Sequence, residues 1–99
     1  HLYDPLHPAV LHLVAHVIAE ARRADTPVAV CGEMAGELEL TRLLLGFGLL
    51  NFSMHPAQLP AIKERVLRTS LAKARGYAQK VLRSGDAAKT RELLAKLNA

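Results

Sequence analysis

The sequence predicts a helix-dominated α/β fold in which a helix joins two short parallel strands. Two runs of strand length, residues 28–31 and 51–54, flank a leucine-rich stretch with helical spacing. A strand–helix–strand order is typical of parallel pairing through a crossover connection. Helical patterns also precede the first strand and follow the second.

The first helix is predicted over residues 8–24. Pro8 suits the first helical turn, where its missing N–H costs nothing. Asp25, Thr26 and Pro27 end the helix and lead into the first strand. One face carries a continuous apolar stripe, formed by Val10, Leu13, Val14, Val17, Ile18 and Ala21.

The second helix is predicted over residues 38–45. It is apolar on most sides, so we expect it to pack between neighbouring elements. Its apolar residues are Leu38, Leu40, Leu43, Leu44 and Leu45. Gly46 and Gly48 follow, and we expect these glycines to end the helix.

Three more helices follow the second strand. The first covers residues 59–68. The next begins after Ser70, a good N-cap, and ends near Gly85. It carries a stripe made of Leu71, Ala74, Tyr77, Ala78, Val81 and Leu82. The last is capped by Asp86 and buries Leu93, Leu94 and Leu97.

Two parallel strands alone would leave two unpaired edges, which proteins generally avoid. Parallel strands normally belong to larger sheets that are covered on both faces. We therefore expect the chain to be the final portion of a barrel or a doubly wound sheet. The sequence also starts His1-Leu2-Tyr3 without an initiator Met, which points to a piece of a longer protein.

Composition and charge limit the classes of function. About half of the 99 residues are apolar, and no apolar run approaches the ~20 residues of a membrane span. Residues 1–50 carry three Arg against six carboxylates, whereas residues 51–99 carry ten Lys or Arg against three. The positive residues are dispersed, which favours solvated helix faces. The alternatives are a basic module that binds nucleic acid or an acidic protein, and self-association through exposed strand edges.

Cys31 is the only cysteine, and it lies where the first strand meets a glycine-bearing acidic loop. A single cysteine allows no internal disulfide, as in a reducing cytoplasm. Chemistry in parallel α/β folds gathers at the carboxyl ends of strands. A free thiol with a pKa of about 8.5 stays protonated at neutral pH and can donate a proton. Packing as a small apolar side chain is the alternative. Gly32 would permit close approach of a ligand or only shape the turn, and Glu33 would orient the ligand, tune the thiol or remain exposed.

The histidines give a weaker indication of a site. His12 and His16 are four residues apart on one helix, a spacing that can hold a metal. No third ligand is evident, so we expect both to be exposed and predict no metal site on this chain. His55 follows the second strand and should lie at the carboxyl edge of the sheet.

Four blocks of sequence resemble one family in their order and spacing. They are residues 1–11, the Cys-Gly-Glu-Met-Ala-Gly segment at 31–36 with the preceding Val30, residues 43–49 with Leu-Leu-Leu-Gly, and Phe-Ser-Met at 52–54. Together they resemble the C-terminal end of Enzyme I, the phosphoenolpyruvate–protein phosphotransferase of the bacterial sugar phosphotransferase system. Glu37, Leu50, Asn51 and His55 depart from the commonest residues of that family.

The resemblance implies a (β/α)8 TIM barrel that binds phosphoenolpyruvate and Mg²⁺ at its carboxyl rim. This chain would supply its last two strands and their helices in residues 1–69 and a helical tail in residues 70–99. Cys31 matches the family's cysteine that protonates the enolate to give pyruvate. The phosphorylated histidine and the Mg²⁺ ligands would lie upstream of His1.

The resemblance also implies partners and a location. They are a histidine-containing phosphocarrier protein, a second copy in a homodimer, and the cytoplasm. Without the upstream groups, we expect the 99-residue chain to be inactive by itself.

Overall fold

The computed structural model describes residues 4–30 and 37–99. Within those ranges the chain forms five α-helices, one 3-10 turn and two short strands. In chain order these elements are α1 (Pro8–Arg23), β1 (Ala29–Val30), α2 (Leu38–Phe47), β2 (Asn51–Phe52), the 3-10 turn Pro56–Gln58, α3 (Leu59–Leu67), α4 (Leu71–Ser84) and α5 (Ala87–Asn98). The prediction of a helix-dominated chain with two short strands is confirmed.

The two strands pair in parallel, as the strand–helix–strand order predicts. Ala29 lies opposite Asn51, and Val30 lies opposite Phe52. The described strands cover Ala29–Val30 and Asn51–Phe52, whereas the prediction extends over residues 28–31 and 51–54, of which Cys31 lies outside the described residues. Val30 and Phe52 are partly buried and pack against the hydrophobic core. The sheet therefore lies at the margin of a helical core.

The core forms mainly between α2, α4 and α5. Leu43 and Leu44 of α2 are fully buried and belong to one core cluster with Ala74 and Ala78 of α4. α5 closes this core with Leu93, Leu94 and Leu97, as predicted. α4 and α5 thus share one core with the leucines of the helix that follows β1 in the chain.

Of the two glycines predicted to end α2, Gly48 is confirmed and Gly46 is not. α2 continues to Phe47 and ends at Gly48, whose φ of 101° lies in the left-handed region that favours glycine. Gly46 instead lies at the contact with α4. A Cβ atom there would come within 2.8 Å of the carbonyl carbon of Ala74 and 3.0 Å of the Ala78 Cβ. Close packing of two helices, which local sequence does not reveal, explains this glycine.

The predicted apolar stripe of α1 is buried only in part. Ile18 is buried as expected, and so is Leu11, which the stripe omits. Leu13 is 63% exposed and Val17 45% exposed. The apolar surface of α1 is wider than the area that its described neighbours cover.

The apolar stripe predicted for α4 is also not buried throughout. Its first residue, Leu71, is 48% exposed.

The predicted helix ends after residue 69 are confirmed to within one residue. The Ser70 hydroxyl accepts a hydrogen bond from the Lys73 N–H at 3.3 Å and caps α4. Asp86 Oδ1 accepts from the Ala88 N–H at 3.0 Å and caps α5. Between them, Gly85 ends α4 with a φ of 59°. These short-range signals can be identified from the sequence because capping depends on adjacent residues.

No helix within the described ranges is both long and apolar enough to cross a membrane.

Candidate functional site

The carboxyl edge of the sheet is the candidate site. Because β1 and β2 are parallel, both strands end at this edge. The Ser53 N–H donates to the Val30 carbonyl at 3.0 Å, which extends the ladder by one residue. Cys31 is the next residue in the chain after Val30.

The three residues predicted to carry chemistry or bind substrate lie outside the described residues. They are Cys31, Gly32 and Glu33. Their proposed roles therefore stay predictions.

On the β2 side, the edge is formed by Ser53, Met54 and His55. Met54 is partly buried, whereas Ser53 and His55 are exposed. His55 follows β2, as predicted, and its Nδ1 accepts a hydrogen bond from the Ala57 N–H at 3.1 Å. Through this bond the His55 ring caps the 3-10 turn that begins at Pro56.

The same His-Pro-Ala sequence caps α1. There His7 Nδ1 accepts from the Ala9 N–H at 3.1 Å, and Pro8 occupies the first helical turn. The repeated pattern could have identified both caps from sequence. It supports a structural role for the His55 ring.

The described residues do not form a metal centre. His12 and His16 are both exposed on α1, as expected. Across residues 4–30 and 37–99, no group of three or more His, Cys, Asp or Glu side chains could hold a metal ion. The Mg²⁺ that the family resemblance implies is therefore not matched by a ligand set in this part of the chain.

Positive charge collects along the groove between α4 and α5. Lys80, Arg83, Lys89 and Lys96 line it, together with Tyr77 and the acidic Asp86. The Lys80 ammonium lies 4.9 Å from the centre of the Tyr77 ring. Lys89 and Lys96 each lie 3.5 Å from the Glu92 carboxylate. Lys89 and, to a smaller extent, Lys96 lower the pKa of Glu92 below its usual value.

A second set of polar contacts lies where α2, α3 and α5 meet. Arg42 Nη1 donates to the Leu97 carbonyl at 3.2 Å, and Asn98 Nδ2 donates to the Glu39 carbonyl at 2.9 Å. These contacts join residues that are 55 and 59 positions apart. Sequence reasoning missed both, because no local pattern marks such long-range partners.

The parallel strand pair joined through a leucine-rich helix is a strand–helix–strand unit typical of α/β folds. Residues 1–71 match the family described as PEP-utilising enzyme, PEP-binding domain. The match covers more than half of the chain, and the chain belongs to this family.

Curated relatives agree with that assignment. The phosphoenolpyruvate-protein phosphotransferase of Cupriavidus necator is 57% identical over 86 residues, which cover 87% of this chain and 15% of the relative. The protein of the same name from Buchnera aphidicola subsp. Schizaphis graminum is 43% identical over 98 residues, covering 99% of this chain and 17% of the relative. The multiphosphoryl transfer protein of Xanthomonas campestris is 38% identical over 93 residues, covering 94% of this chain and 11% of that protein.

Two consequences follow. The resemblance to phosphoenolpyruvate–protein phosphotransferases is confirmed, and the alternative of a separate basic binding module gains no support. The chain spans only about a sixth of the length of the first two relatives, 15% and 17% respectively.

Proposed function

We propose that this chain is the C-terminal part of a phosphoenolpyruvate-dependent protein phosphotransferase. In the complete enzyme, a phosphoryl group would pass from phosphoenolpyruvate to an enzyme histidine and then to a histidine-containing phosphocarrier protein. The observation that carries the proposal is the match of residues 1–71 to a PEP-binding domain. Relatives that bear the phosphotransferase name cover most of the chain, which adds support.

Cys31 is the proposed proton donor. Transfer of the phosphoryl group leaves the enolate of pyruvate, whose C3 must gain a proton. The Sγ–H proton of Cys31 moves to C3, the π electrons of the enolate form the new C–H bond, and the thiolate regains a proton from water. An ordinary thiol is protonated at neutral pH and is a competent acid for this step.

Gly32 and Glu33 are the proposed substrate-binding residues beside Cys31. A glycine leaves room for the backbone to approach the substrate. The carboxylate of Glu33 would orient the substrate or adjust the acidity of the neighbouring thiol. Both follow Cys31 in the segment that resembles the family.

The proposed architecture is the end of a (β/α)8 barrel. Residues 1–69 would contribute the last two strands and their helices, and residues 70–99 would form the helical tail. The parallel pairing of β1 and β2 supports this architecture. The exposed apolar surface of α1 at Leu13 and Val17 adds support, since an upstream part of the barrel would cover it.

The remaining groups of the active centre are assigned to upstream parts of the enzyme. Mg²⁺ would be held there, and no step is assigned to it through the described residues of this chain. A phosphoryl group also needs cationic groups to stabilise its charge. Because these groups are assigned upstream, we propose that the isolated chain is inactive. We also propose that the parent enzyme is cytoplasmic and homodimeric.

The proposal is tested in the full-length parent enzyme with the variant Cys31→Ala. Turnover with phosphoenolpyruvate should fall by at least about 100-fold, the usual contribution of a positioned general acid. The exchange of pyruvate methyl protons with deuterated water should fall in parallel, because it requires the same proton transfer. His16→Ala, at an exposed position of α1, is the control and should retain turnover. Near-normal turnover and exchange in Cys31→Ala would refute the role.

A further inference from the structure

The groove between α4 and α5 brings together cations that are separated in the sequence. Lys80 and Arg83 lie on α4, whereas Lys89 and Lys96 lie on α5. A short connection joins the two helices, which pack against each other. The dispersed spacing of these residues favours separate solvated faces when only the sequence is considered. In the fold, all four line one groove.

The groove has the size and the lining of a small-molecule site. Its volume is about 550 Å³, and ligand pockets commonly have about 300–1,000 Å³. Leu93 is buried and Tyr77 is partly buried, whereas the four cations are exposed. Apolar side chains in a cleft strengthen the field of the charges beside them. The groove therefore combines an apolar wall with accessible positive charge.

Positive charge dominates the lining. Among the described residues that line the groove, Asp86 is the one carboxylate. Four cations against this carboxylate leave a formal surplus of three positive charges, and the net charge of the whole chain is +4. Asp86 Oδ1 also accepts the Ala88 N–H as the cap of α5. A surplus of this size in one cleft attracts anions.

The two cations of α4 lack carboxylate partners. Across residues 4–30 and 37–99, no Asp or Glu forms an ion pair with Lys80 or Arg83. The two side chains are three residues apart on one helix, a spacing at which like charges repel. The Lys80 ammonium instead lies 4.9 Å from the centre of the Tyr77 ring. An anion bound between Lys80 and Arg83 would remove the repulsion.

The two cations of α5 share one carboxylate. Lys89 and Lys96 each lie 3.5 Å from Oε1 of Glu92. All three side chains are at least half exposed, and ion pairs at such positions contribute little to stability. An anion of higher charge can therefore draw both lysines away from Glu92.

We propose that the groove binds a small molecule that carries a diphosphate or two phosphate groups. The planar guanidinium of Arg83 suits two phosphate oxygens at once, and Lys80 adds a second charge on the same helix. Lys89 and Lys96 supply charge from the other helix. Binding here requires neither Cys31 nor the groups assigned upstream, and so does not depend on the proposed function.

The dimensions of the groove favour phosphate groups over a peptide or a nucleic-acid base. The lining spans residues 77–84 and 89–96, which is about 10 Å along each helix. Two phosphate groups carry about three to four negative charges. An extended acidic peptide of that length presents only about two carboxylates to one side. The Lys80 ammonium occupies one face of Tyr77, which leaves less aromatic surface for a base.

The test titrates inorganic pyrophosphate into the 99-residue chain by calorimetry, without divalent metal ions. In about 50 mM salt we expect saturable binding of one ligand per chain, with a Kd of about 0.1 mM. Inorganic orthophosphate should bind at least about tenfold more weakly, because one phosphate reaches the cations of one helix only. The affinity for pyrophosphate should fall in about 0.5 M salt, as exposed charges are screened.

Two substitutions on α4 distinguish the groove from overall charge. Arg83→Gln should weaken pyrophosphate binding about tenfold, since it removes a charged donor of the site. Arg75→Gln is the matched control. It removes the same charge from an exposed position of the same helix that does not line the groove. The control should change the affinity by less than about twofold.

A substitution on α5 should act in the opposite direction. Glu92→Gln should tighten pyrophosphate binding about threefold, because it releases Lys89 and Lys96 from their shared carboxylate. Unchanged or weaker binding in this variant would mean that the lysines of α5 do not contact the ligand. That result would overturn a site formed by both helices.

The remaining outcomes also decide the matter. Absence of saturable binding at about 5 mM pyrophosphate overturns the proposal. Equal losses of affinity in Arg83→Gln and Arg75→Gln overturn it as well, since they would indicate attraction by overall charge. A tetraglutamate peptide that binds more tightly than pyrophosphate would assign the groove to an acidic protein segment instead.

Discussion

Gly46 of α2 lies directly against the backbone of Ala74 in α4. A Cβ at position 46 would approach the carbonyl carbon of Ala74 to 2.8 Å, and the carbonyl oxygen is closer still. Because the obstacle is backbone within a helix, no change of rotamer can relieve the clash. The contact between the two helices therefore requires glycine at this position.

Gly46→Ala should be strongly destabilising. Forcing α2 and α4 apart should cost about 3 kcal/mol of unfolding free energy, the upper part of the usual range for overpacking. Urea denaturation of the 99-residue chain measures this cost. Gly76→Ala is the matched control, since a Cβ there meets no heavy atom within 4 Å. That substitution should stabilise α4 by up to about 1 kcal/mol through helix propensity. Equal effects at the two glycines would contradict the close helix contact.

Asp86→Ala should weaken α5 at its start. The substitution removes the acceptor of the Ala88 N–H and should cost about 1 kcal/mol of unfolding free energy. Asp86→Asn keeps a side-chain oxygen at the same place and should cost much less. Thermal or urea denaturation of both variants gives the comparison. A loss of the same size in Asp86→Asn would mean that charge, and not capping, is responsible.

Glu92 should make a small, pH-dependent contribution to stability. Lys89 first, and then Lys96, lower the pKa of the Glu92 carboxyl below its usual value of 4.5. A carboxyl with a lowered pKa in the folded state stabilises it above the unfolded pKa. That stabilisation is lost as the pH falls through the folded pKa. Glu92→Gln should thus be slightly less stable than the unmodified chain at about pH 7 and equal to it at about pH 2. A difference that persists at low pH, or in about 1 M salt, would contradict this ionic origin.

Leu13→Ala should have different effects in the isolated chain and in the parent enzyme. In the 99-residue chain Leu13 is 63% exposed, and its truncation should change the unfolding free energy by less than about 0.5 kcal/mol. If an upstream part of a barrel covers α1 in the parent, the same change should cost about 2 kcal/mol or more there. Denaturation of both proteins decides the matter. A negligible effect in each would contradict the proposed cover of α1.

Local signals predicted the helices well. Pro8, Ser70, Gly85 and Asp86 mark helix ends through contacts with residues a few positions away, and such contacts can be identified from the sequence. Gly46 could not be interpreted in this way. Its role depends on Ala74, a residue of another helix whose approach follows from tertiary packing.

For the candidate site too, some features could be predicted from the sequence and others could not. The parallel pairing of β1 and β2 follows from the order of elements, and the family blocks follow from the residues themselves. The fastening of Asn98 to Glu39 joins residues 59 positions apart, and no periodicity predicts it. Likewise, the exposure of Leu13 depends on which neighbours are present, which the spacing of apolar residues does not reveal.

The leucine cluster between α2, α4 and α5 has a practical consequence for protein expression. The matched family domain ends at residue 71, at the very start of α4. An expression boundary placed there would remove the alanines and leucines of α4 and α5 that share the core cluster with Leu43 and Leu44. The resulting polypeptide would expose an apolar leucine surface to water and should aggregate on purification. A usable recombinant unit therefore has to extend through α5.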